Sequence, residues 1–158
     1  MQSDRELLRH TVATLAYRGG KVVRETPDGF ATFKLHETTR TPIEILAHIN
    51  DLLDWALRMA NAEYRWTTTT PASWDAEATR FFETLTQLDV RLASEEPLGQ
   101  PTANIFQGPV ADALTHVGQL ALLRRIAGLP VRGENYFKAE IVPGRVGQDQ
   151  AKPRFEFD

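Results

Sequence analysis

Two residues one helical turn apart, Asp112 and His116, have the side-chain types and the spacing of half a metal site. They lie in residues 107–128, where small and apolar residues recur every three or four positions, as on one face of a helix. At about 100° per residue, positions i and i+4 are about 40° apart, so both side chains can reach one ion. A carboxylate and an imidazole on one face are ordinary ligands of divalent transition metals.

The helix that carries this pair is predicted from signals at both of its ends. Gly108 and Pro109 are typical of a helix start, because the missing N–H of proline costs nothing at the first position. Gly128 followed by Pro130 predicts its end. Asp112 in a first turn also has a simpler explanation, since a carboxylate there is stabilised by the helix dipole alone.

A third candidate ligand, His48, lies on a second predicted helix. The stretch Thr41-Pro42-Ile43-Glu44 has the form of a capping box with proline at the first helical position, and apolar periodicity continues to about residue 62. His48 is on the flank of the apolar stripe, one turn after Glu44. Glu44 is therefore either a capping residue, which we favour, or a fourth ligand or a supporting partner of His48.

The depths of the three side chains along their helices can be compared. His48 is six residues past Pro42, about 9 Å along its helix, while Asp112 and His116 are about 4.5 and 10.5 Å past Pro109. The three side chains would lie at matching depth if the two helices started at the same end of the molecule. Helices running in opposite directions are expected to keep His48 away from the pair.

Two further amphipathic segments complete the predicted fold. An S-x-x-E capping box at the N-terminus starts a helix over about residues 4–25, and Ser73 caps another that runs to about residue 94. Four amphipathic helices without a convincing strand predict an all-α four-helix bundle, and the long connections allow a crossed topology. We expect a single domain over 1–158, with the bundle at about 3–128.

The non-helical segments are predicted to lie on this bundle. Residues 26–40 combine turn chemistry with apolar anchors, so we expect them to fold over one end. His36 and Glu37, in that segment, are candidate acid or base groups at the mouth of a pocket, although loop histidines more often have no such role. Residues 129–158 lose periodicity, which predicts an irregular C-terminal tail on the bundle or on a second subunit, with a short turn near 135–139.

Composition excludes several classes of function. The chain has 158 residues, 42% hydrophobic and 25% charged, with a formal net charge of −3 and no cysteine. The acidic balance argues against nucleic-acid or anionic-membrane partners, and the absence of cysteine excludes disulfides and thiolate ligands. No apolar run approaches the roughly 20 residues that span a bilayer, and no secretory signal is evident, so we expect a cytoplasmic protein.

Two motifs resemble those of a known family. The H-x-G-Q at His116–Gln119 and the T-P-x-E-I-L-A-H that ends at His48 are similar to the DinB/YfiT superfamily, the damage-inducible helical proteins rather than the polymerase. The resemblance covers all four predicted helices in order. It implies a four-helix bundle with a crossed connection, often dimeric, that holds a divalent metal on three histidines. Characterised relatives include transferases and isomerases that activate low-molecular-weight thiols such as bacillithiol, mycothiol and glutathione.

The resemblance carries over residue by residue with one departure. His48 matches the family's ligand on the second helix, and His116 matches the second of two ligands spaced H-x3-H on the fourth. Asp112 stands where the family has the other histidine. Two histidines and one carboxylate can hold one zinc, nickel, iron or manganese ion per chain with open positions, but the substitution is equally compatible with a member that has lost its metal. The tryptophan that many members carry before the second helix is also missing, with Arg40 and Thr41 in that region.

We therefore expect a metal-dependent enzyme that acts on a small molecule, in one of two versions. In the first, a low-molecular-weight thiol is transferred to a small electrophile; in the second, the metal assists hydrolysis. The alternative is a non-enzymatic helical-bundle binding protein whose metal is structural or absent. A homodimer is expected in either case, and no substrate can be identified from the residues.

Overall fold

The computed structural model describes residues 3–157, and most of the ordered backbone is helical. The regular elements, in chain order, are α1 (Asp4–Val23), α2 (Pro42–Ala60), α3 (Trp74–Ala93), α4 (Thr102–Ile105), a π-helical turn (Phe106–Val110), α5 (Ala111–Ile126), β1 (Gly133–Glu134), a 3-10 turn (Tyr136–Lys138) and β2 (Glu156–Phe157). The prediction of a predominantly helical protein is confirmed. Within this part of the chain, no helix is both long and apolar enough to cross a membrane.

The first three helices begin where their capping signals predict. The Ser3 amide donates to Glu6 Oε2 at 3.0 Å and the Glu6 amide donates to Ser3 Oγ at 3.2 Å, which is the predicted capping box. The Ser73 hydroxyl oxygen accepts from the Ala76 amide at 3.2 Å. These contacts satisfy N–H groups that have no partner inside a helix, so the starts are fixed locally.

The last helical segment begins earlier than the sequence suggests. It starts at Thr102, and Pro109 lies inside it rather than at its first position. The structure accommodates the proline with a π-turn, in which the Ala111 amide bonds to the Phe106 carbonyl five residues back. A wider turn gives room to the proline ring and tolerates its missing N–H, so the helical path continues through it. The predicted start at Gly108-Pro109 is therefore wrong.

Helix packing follows a simple pattern of neighbours. α2 contacts α3 and α5, and α1 contacts α3 and α5. α2 and α3 point the same way, because Asn50 bonds to Glu77 near the start of α3 and Arg91 bonds to Asn61 just past the end of α2. Residues 61–73 therefore run back along the helix pair, from the end of α2 to the start of α3.

One apolar core lies between these helices. Burying a leucine or phenylalanine side chain stabilises a fold by about 1.5–3 kcal/mol. At Gly19 a Cβ would lie 2.5 Å from Cζ of the fully buried Phe81, so glycine permits this close approach of α1 and α3. The other large, fully buried side chains are Tyr17, Phe30, Leu15, Leu46, Ile49, Leu53, Leu85, Leu88, Leu92, Ile105 and Leu120.

The two irregular segments pack as expected. Phe30 is buried and its ring lies edge-on to Trp74 at 5.6 Å, so the segment between α1 and α2 covers one end of the helices. In the tail, the predicted short turn is present as the 3-10 turn, and β1 pairs antiparallel with β2. That two-residue pairing was not predicted. The tail is anchored on α1 of its own chain, where buried Glu134 bonds to Tyr17.

Candidate metal centre

His48, Asp112 and His116 converge at the contact between α2 and α5. One ligand atom from each lies within 4.8 Å of the others, which makes this a group that could hold a metal ion. His116 Nε2 is 3.3 Å from Asp112 Oδ1, and His48 Nε2 is 3.9 Å from Asp112 Oδ2. The two imidazole rings are nearly perpendicular, with centroids 4.7 Å apart.

These separations suit a common ion. Two atoms that are each about 2.1 Å from one ion lie about 3.0–3.4 Å apart in octahedral or tetrahedral geometry. The separation of His116 Nε2 from Asp112 Oδ1, 3.3 Å, falls in that range. The separation of His48 Nε2 from the other carboxylate oxygen, 3.9 Å, is wider, and one ligand atom from each residue lies within 4.8 Å of the others. The donor set, two imidazoles and one carboxylate, is one that zinc, nickel, iron and manganese accept. The three residues therefore fit a divalent ion.

The helices that supply the ligands run in opposite directions. Gly108 faces Trp55 near the end of α2, where a Cβ on the glycine would lie 3.9 Å from the Trp55 ring. Ile45, near the start of α2, lines a cavity with Leu122 and Leu123 from the second half of α5. The expectation that antiparallel helices would keep His48 from the pair is wrong.

The reason is the early start of the last helical segment. Counted from Thr102, Asp112 and His116 are ten and fourteen residues along, about 15 and 21 Å. Counted from the Ala60 end of α2, His48 is twelve residues along, about 18 Å. In antiparallel helices these depths coincide. The predicted depths were wrong because they were counted from Pro109, whereas the helical segment starts at Thr102.

The π-turn directly precedes Asp112 and sets the face on which Asp112 and His116 lie. It adds one residue to the turn, which rotates everything after it by about 100° relative to an uninterrupted α-helix. Pro109, the fourth of its five residues, is buried. Short π-helical insertions are frequent at functional sites because they re-aim the side chains that follow them.

Gln119 orients the His116 ring. Its Oε1 atom lies 3.0 Å from His116 Nδ1, and in the tautomer whose Nδ1–H donates to this oxygen, Nε2 keeps its lone pair. That lone pair faces Asp112, where an ion would be held. Hydrogen bonds of this kind fix the tautomer and orientation of metal-binding histidines.

His48 is held as a neutral imidazole. Burial lowers its pKa below the ordinary value, and the nearby His116 and Arg40 lower it further, while Asp112 opposes them. Burial has this direction because it disfavours the charged form. The neutral ring is the form that binds metal.

Two tryptophans lie against the site, one of them on a loop. Trp66 packs edge-on to His48, with centroids 6.0 Å apart, and Trp55 packs against Trp66 at 5.7 Å. The loop is held by Asp51, which accepts from the amide and the hydroxyl of Thr69 at 2.9 and 2.7 Å. The sequence carries no local signal that places Trp66 at the site. Its loop has no periodicity, and the contact of Thr69 with Asp51 that anchors the loop joins residues eighteen positions apart.

Two cavities flank the three ligands and leave room for a small molecule. The larger, about 420 Å³, is lined by Thr39, Arg40, Ile45, His116, Gln119, Leu122 and Leu123. The smaller, about 330 Å³, is lined by Arg40, Glu44, His48, Asp51, Thr68, Thr69, Thr70 and Pro71. The ligands are thus accessible from two sides.

The other candidate residues have local roles. Glu44 accepts from the Thr41 amide at 2.7 Å and from its hydroxyl at 2.9 Å, so its carboxylate caps α2. These two hydrogen bonds lower the Glu44 pKa. His36 is exposed and its ring bonds to the Thr38 hydroxyl in its own turn, and Glu37 is also exposed.

Comparison of the chain with family models, with curated proteins and with solved structures gives no match. The site is therefore interpreted from its own geometry.

Proposed function

We propose that this chain is a divalent-metal-dependent enzyme of the DinB-like kind, with one ion held by His48, Asp112 and His116. The observation that carries the proposal is the convergence of these three side chains, from two antiparallel helices, on a point bordered by two cavities. The resemblance of the motifs around His48 and His116 supports the same assignment. The proposed fold is the four-helix bundle with a crossed connection, which the shared direction of α2 and α3 supports.

The favoured reaction is transfer of a low-molecular-weight thiol to an electrophilic small molecule, with metal-assisted hydrolysis as the second version. A divalent ion at this site would act as a Lewis acid and lower the pKa of a thiol or water beside it. In the transfer, sulfur bonds to the electrophilic carbon, the leaving group departs with its electron pair, and the thiol proton passes to solvent. Gln119 keeps His116 oriented throughout, and Trp66, which packs on Trp55, lies against the His48 ring.

The second candidate function is a non-enzymatic binding protein with a structural metal or none. The observation that favours it is the exposure of Asp112, whose side chain is 48% accessible and stands in place of the family's histidine. The two candidates differ in coordination. A structural ion is saturated by protein ligands, whereas three ligands next to two cavities leave positions open for substrate.

The first experiment is elemental analysis of tagless protein, comparing wild type with Asp112→Ala and His116→Ala. His36→Ala is the matched control, because it removes an exposed histidine outside the cluster. We expect about one equivalent of a transition metal per chain in wild type and in the control, and its loss in the other two variants. Wild-type protein that binds no metal after incubation with zinc, nickel or manganese would contradict the enzyme proposal.

Removal of the ion then separates the two candidates. Chelation should leave a catalytic protein folded but without ligand binding at the site, because the helices have their own core. It should unfold a protein whose ion is structural. Far-ultraviolet circular dichroism and thermal unfolding, before and after chelation, measure the difference.

A further inference from the structure

Arg40 lines both of the cavities that flank the metal ligands. It lines the larger cavity together with His116 and the smaller one together with His48. It is placed there by the chain that enters α2, one residue before the Thr41 cap. A molecule that occupies either cavity would therefore meet the ligand cluster and the guanidinium together.

The guanidinium of Arg40 is available for a ligand. Among residues 3–157, no carboxylate lies within 4.0 Å of it and no hydrogen bond engages it. Other arginines near the helices are occupied, for example Arg80 by Asp51 at 2.6 Å and Arg9 by Asp89 at 3.0 Å. Arginine presents a rigid fork of donors that matches a carboxylate, so a free fork in a cavity is suited to binding an anion.

The larger cavity has apolar residues in its wall beside its polar ones. Ile45 is buried beneath it, and Leu122 and Leu123 of α5 complete it. Leu122 is 57% exposed, so its side chain is open to a molecule in the cavity. This arrangement complements a molecule with an apolar body, an anionic group at one end and a reactive group at the other.

The charges around Arg40 favour a single negative charge on that molecule. Glu44 borders the smaller cavity, and Asp112 belongs to the neighbouring ligand cluster. Together with the proposed divalent ion, the Arg40 guanidinium and these two carboxylates leave one net positive charge, which a carboxylate would neutralise and a phosphate dianion would exceed. A carboxylate is therefore the better match to the site.

We infer that Arg40 binds the carboxylate of an amphipathic small molecule whose apolar body lies on Ile45, Leu122 and Leu123 and whose reactive end faces His48, Asp112 and His116. The inference rests on the proposed function for the reactive end, and it adds the substrate class: a small organic acid. Arg40 is thus a binding residue that determines specificity. Its removal is expected to change the recognition of the acid without loss of the metal.

The test uses two thiols of equal length, 6-mercaptohexanoate and 6-mercaptohexan-1-ol, titrated calorimetrically into zinc-loaded protein. They differ only in whether the far end carries a negative charge. We expect wild type to bind the acid about three- to tenfold more tightly than the alcohol, as for a partly exposed charge-assisted pair. In Arg40→Gln the preference should vanish while alcohol binding and zinc content stay unchanged.

Two further variants serve as controls. Arg40→Lys keeps the charge but loses the fork, so it should retain only part of the preference. Arg154→Gln removes an arginine whose side chain is 72% exposed in the tail, and it should behave as wild type. A preference that survives in Arg40→Gln, equal binding of the two thiols by wild type, or no binding of either to zinc-loaded protein would each overturn the inference.

Failure of the proposed function is distinguishable from failure of this inference. If no zinc binds, the metal proposal fails, and the anion site is then tested with hexanoate on metal-free protein, followed by NMR chemical shifts. Saturable shifts near α2 that disappear in Arg40→Gln would support the anion site alone. No saturable shift, or shifts unchanged in that variant, would overturn it.

Discussion

Two polar clusters in this molecule each contain carboxylates. They differ in whether every carboxylate has a hydrogen-bond donor within the cluster. The tail cluster consists of Tyr17, Lys21, Glu134 and Glu156. Glu134, whose side chain is fully buried, accepts from Tyr17 Oη at 2.6 Å and from Lys21 Nζ at 2.9 Å, and Lys21 also reaches Glu156 at 3.0 Å. Each carboxylate has a donor. Burial raises the Tyr17 pKa, and the bond to Glu134 raises it further, so the phenol remains a donor.

The ligand cluster of His48, Asp112 and His116 lacks this matching. His116 Nε2 and Asp112 Oδ1 lie 3.3 Å apart, and both are acceptors in the tautomer whose Nδ1–H donates to Gln119. Among the described residues, no lysine or arginine lies within 4.0 Å of that carboxylate. Acceptors that face each other repel unless a cation lies between them.

The difference teaches how to separate a structural polar cluster from a site. In the tail cluster the charges compensate internally, so it serves as a joint between the tail and α1. In the ligand cluster a bound cation would supply the compensation. The two clusters should therefore respond in opposite ways to mutation, the first in stability and the second in metal binding.

The largest effect on stability is expected for Glu134→Gln. Removing one partner of a buried ion pair leaves an uncompensated charge, which costs about 3–5 kcal/mol, and we expect about 3 because Lys21 keeps Glu156. Urea unfolding of metal-free protein measures this change, and zinc stoichiometry should stay at the wild-type value. Glu140→Gln is the matched control, because the Glu140 side chain is 47% exposed and its ion pairs should contribute less than about 1 kcal/mol. Equal losses of unfolding free energy in both variants would show that the tail cluster does not stabilise the contact between the tail and α1.

The next effect is the stabilisation that zinc confers. At free zinc about 100 times its dissociation constant, binding to the folded state alone adds about 2.7 kcal/mol to the free energy of unfolding. Wild type and His36→Ala should show this gain, and His116→Ala should show none. Without metal, the free energy of unfolding of His116→Ala should lie within about 1 kcal/mol of the wild-type value, because His116 has no charge partner in the cluster that its loss would leave unpaired. A metal-free His116→Ala protein that is much less stable than wild type would make the cluster structural.

Gln119→Ala should weaken metal binding without abolishing it. Loss of the partner that orients a ligating histidine typically lowers metal affinity by about 10- to 100-fold. Gln119→Glu keeps an acceptor at the same place and should retain wild-type affinity or exceed it. Competition with a chromogenic chelator measures both. Wild-type affinity in Gln119→Ala would mean that the bond to His116 Nδ1 does not hold the ring.

The helices were predictable because their signals are local. Capping residues and apolar periodicity fix the starts of α1, α2 and α3 within a few neighbouring residues. Pro109 was misread because a proline at a helix start and a proline inside a π-turn have the same local sequence signal. What separates them is whether residues before the proline are helical, and Thr102–Ile105 is too short to show periodicity.

The site residues that could be predicted from the sequence are those that share one helix or belong to a recognisable motif. Asp112 and His116 follow from i, i+4 spacing, and His48 from its motif, but the direction of the two helices depends on long-range packing that no local pattern encodes. Trp66 and Arg40 reach the site from segments without periodicity. Their positions depend on contacts such as Asp51 with Thr69, which only the folded chain brings together.

The smallest effect distinguishes the capping role of Glu44 from a role as a ligand. The two hydrogen bonds from Thr41 lower the Glu44 pKa below 4.5 in the folded state. The carboxylate therefore contributes stability that is present above pH 4.5 and lost as the pH falls through the lower folded value. Because the group is almost fully exposed, we expect only about 0.5 kcal/mol at pH 7. Urea unfolding should thus separate wild type from Glu44→Gln at pH 7 and bring them together near pH 3, with zinc affinity at pH 7 equal in both. A tenfold loss of zinc affinity in Glu44→Gln would instead place this carboxylate among the ligands, and the open cluster would then have four members.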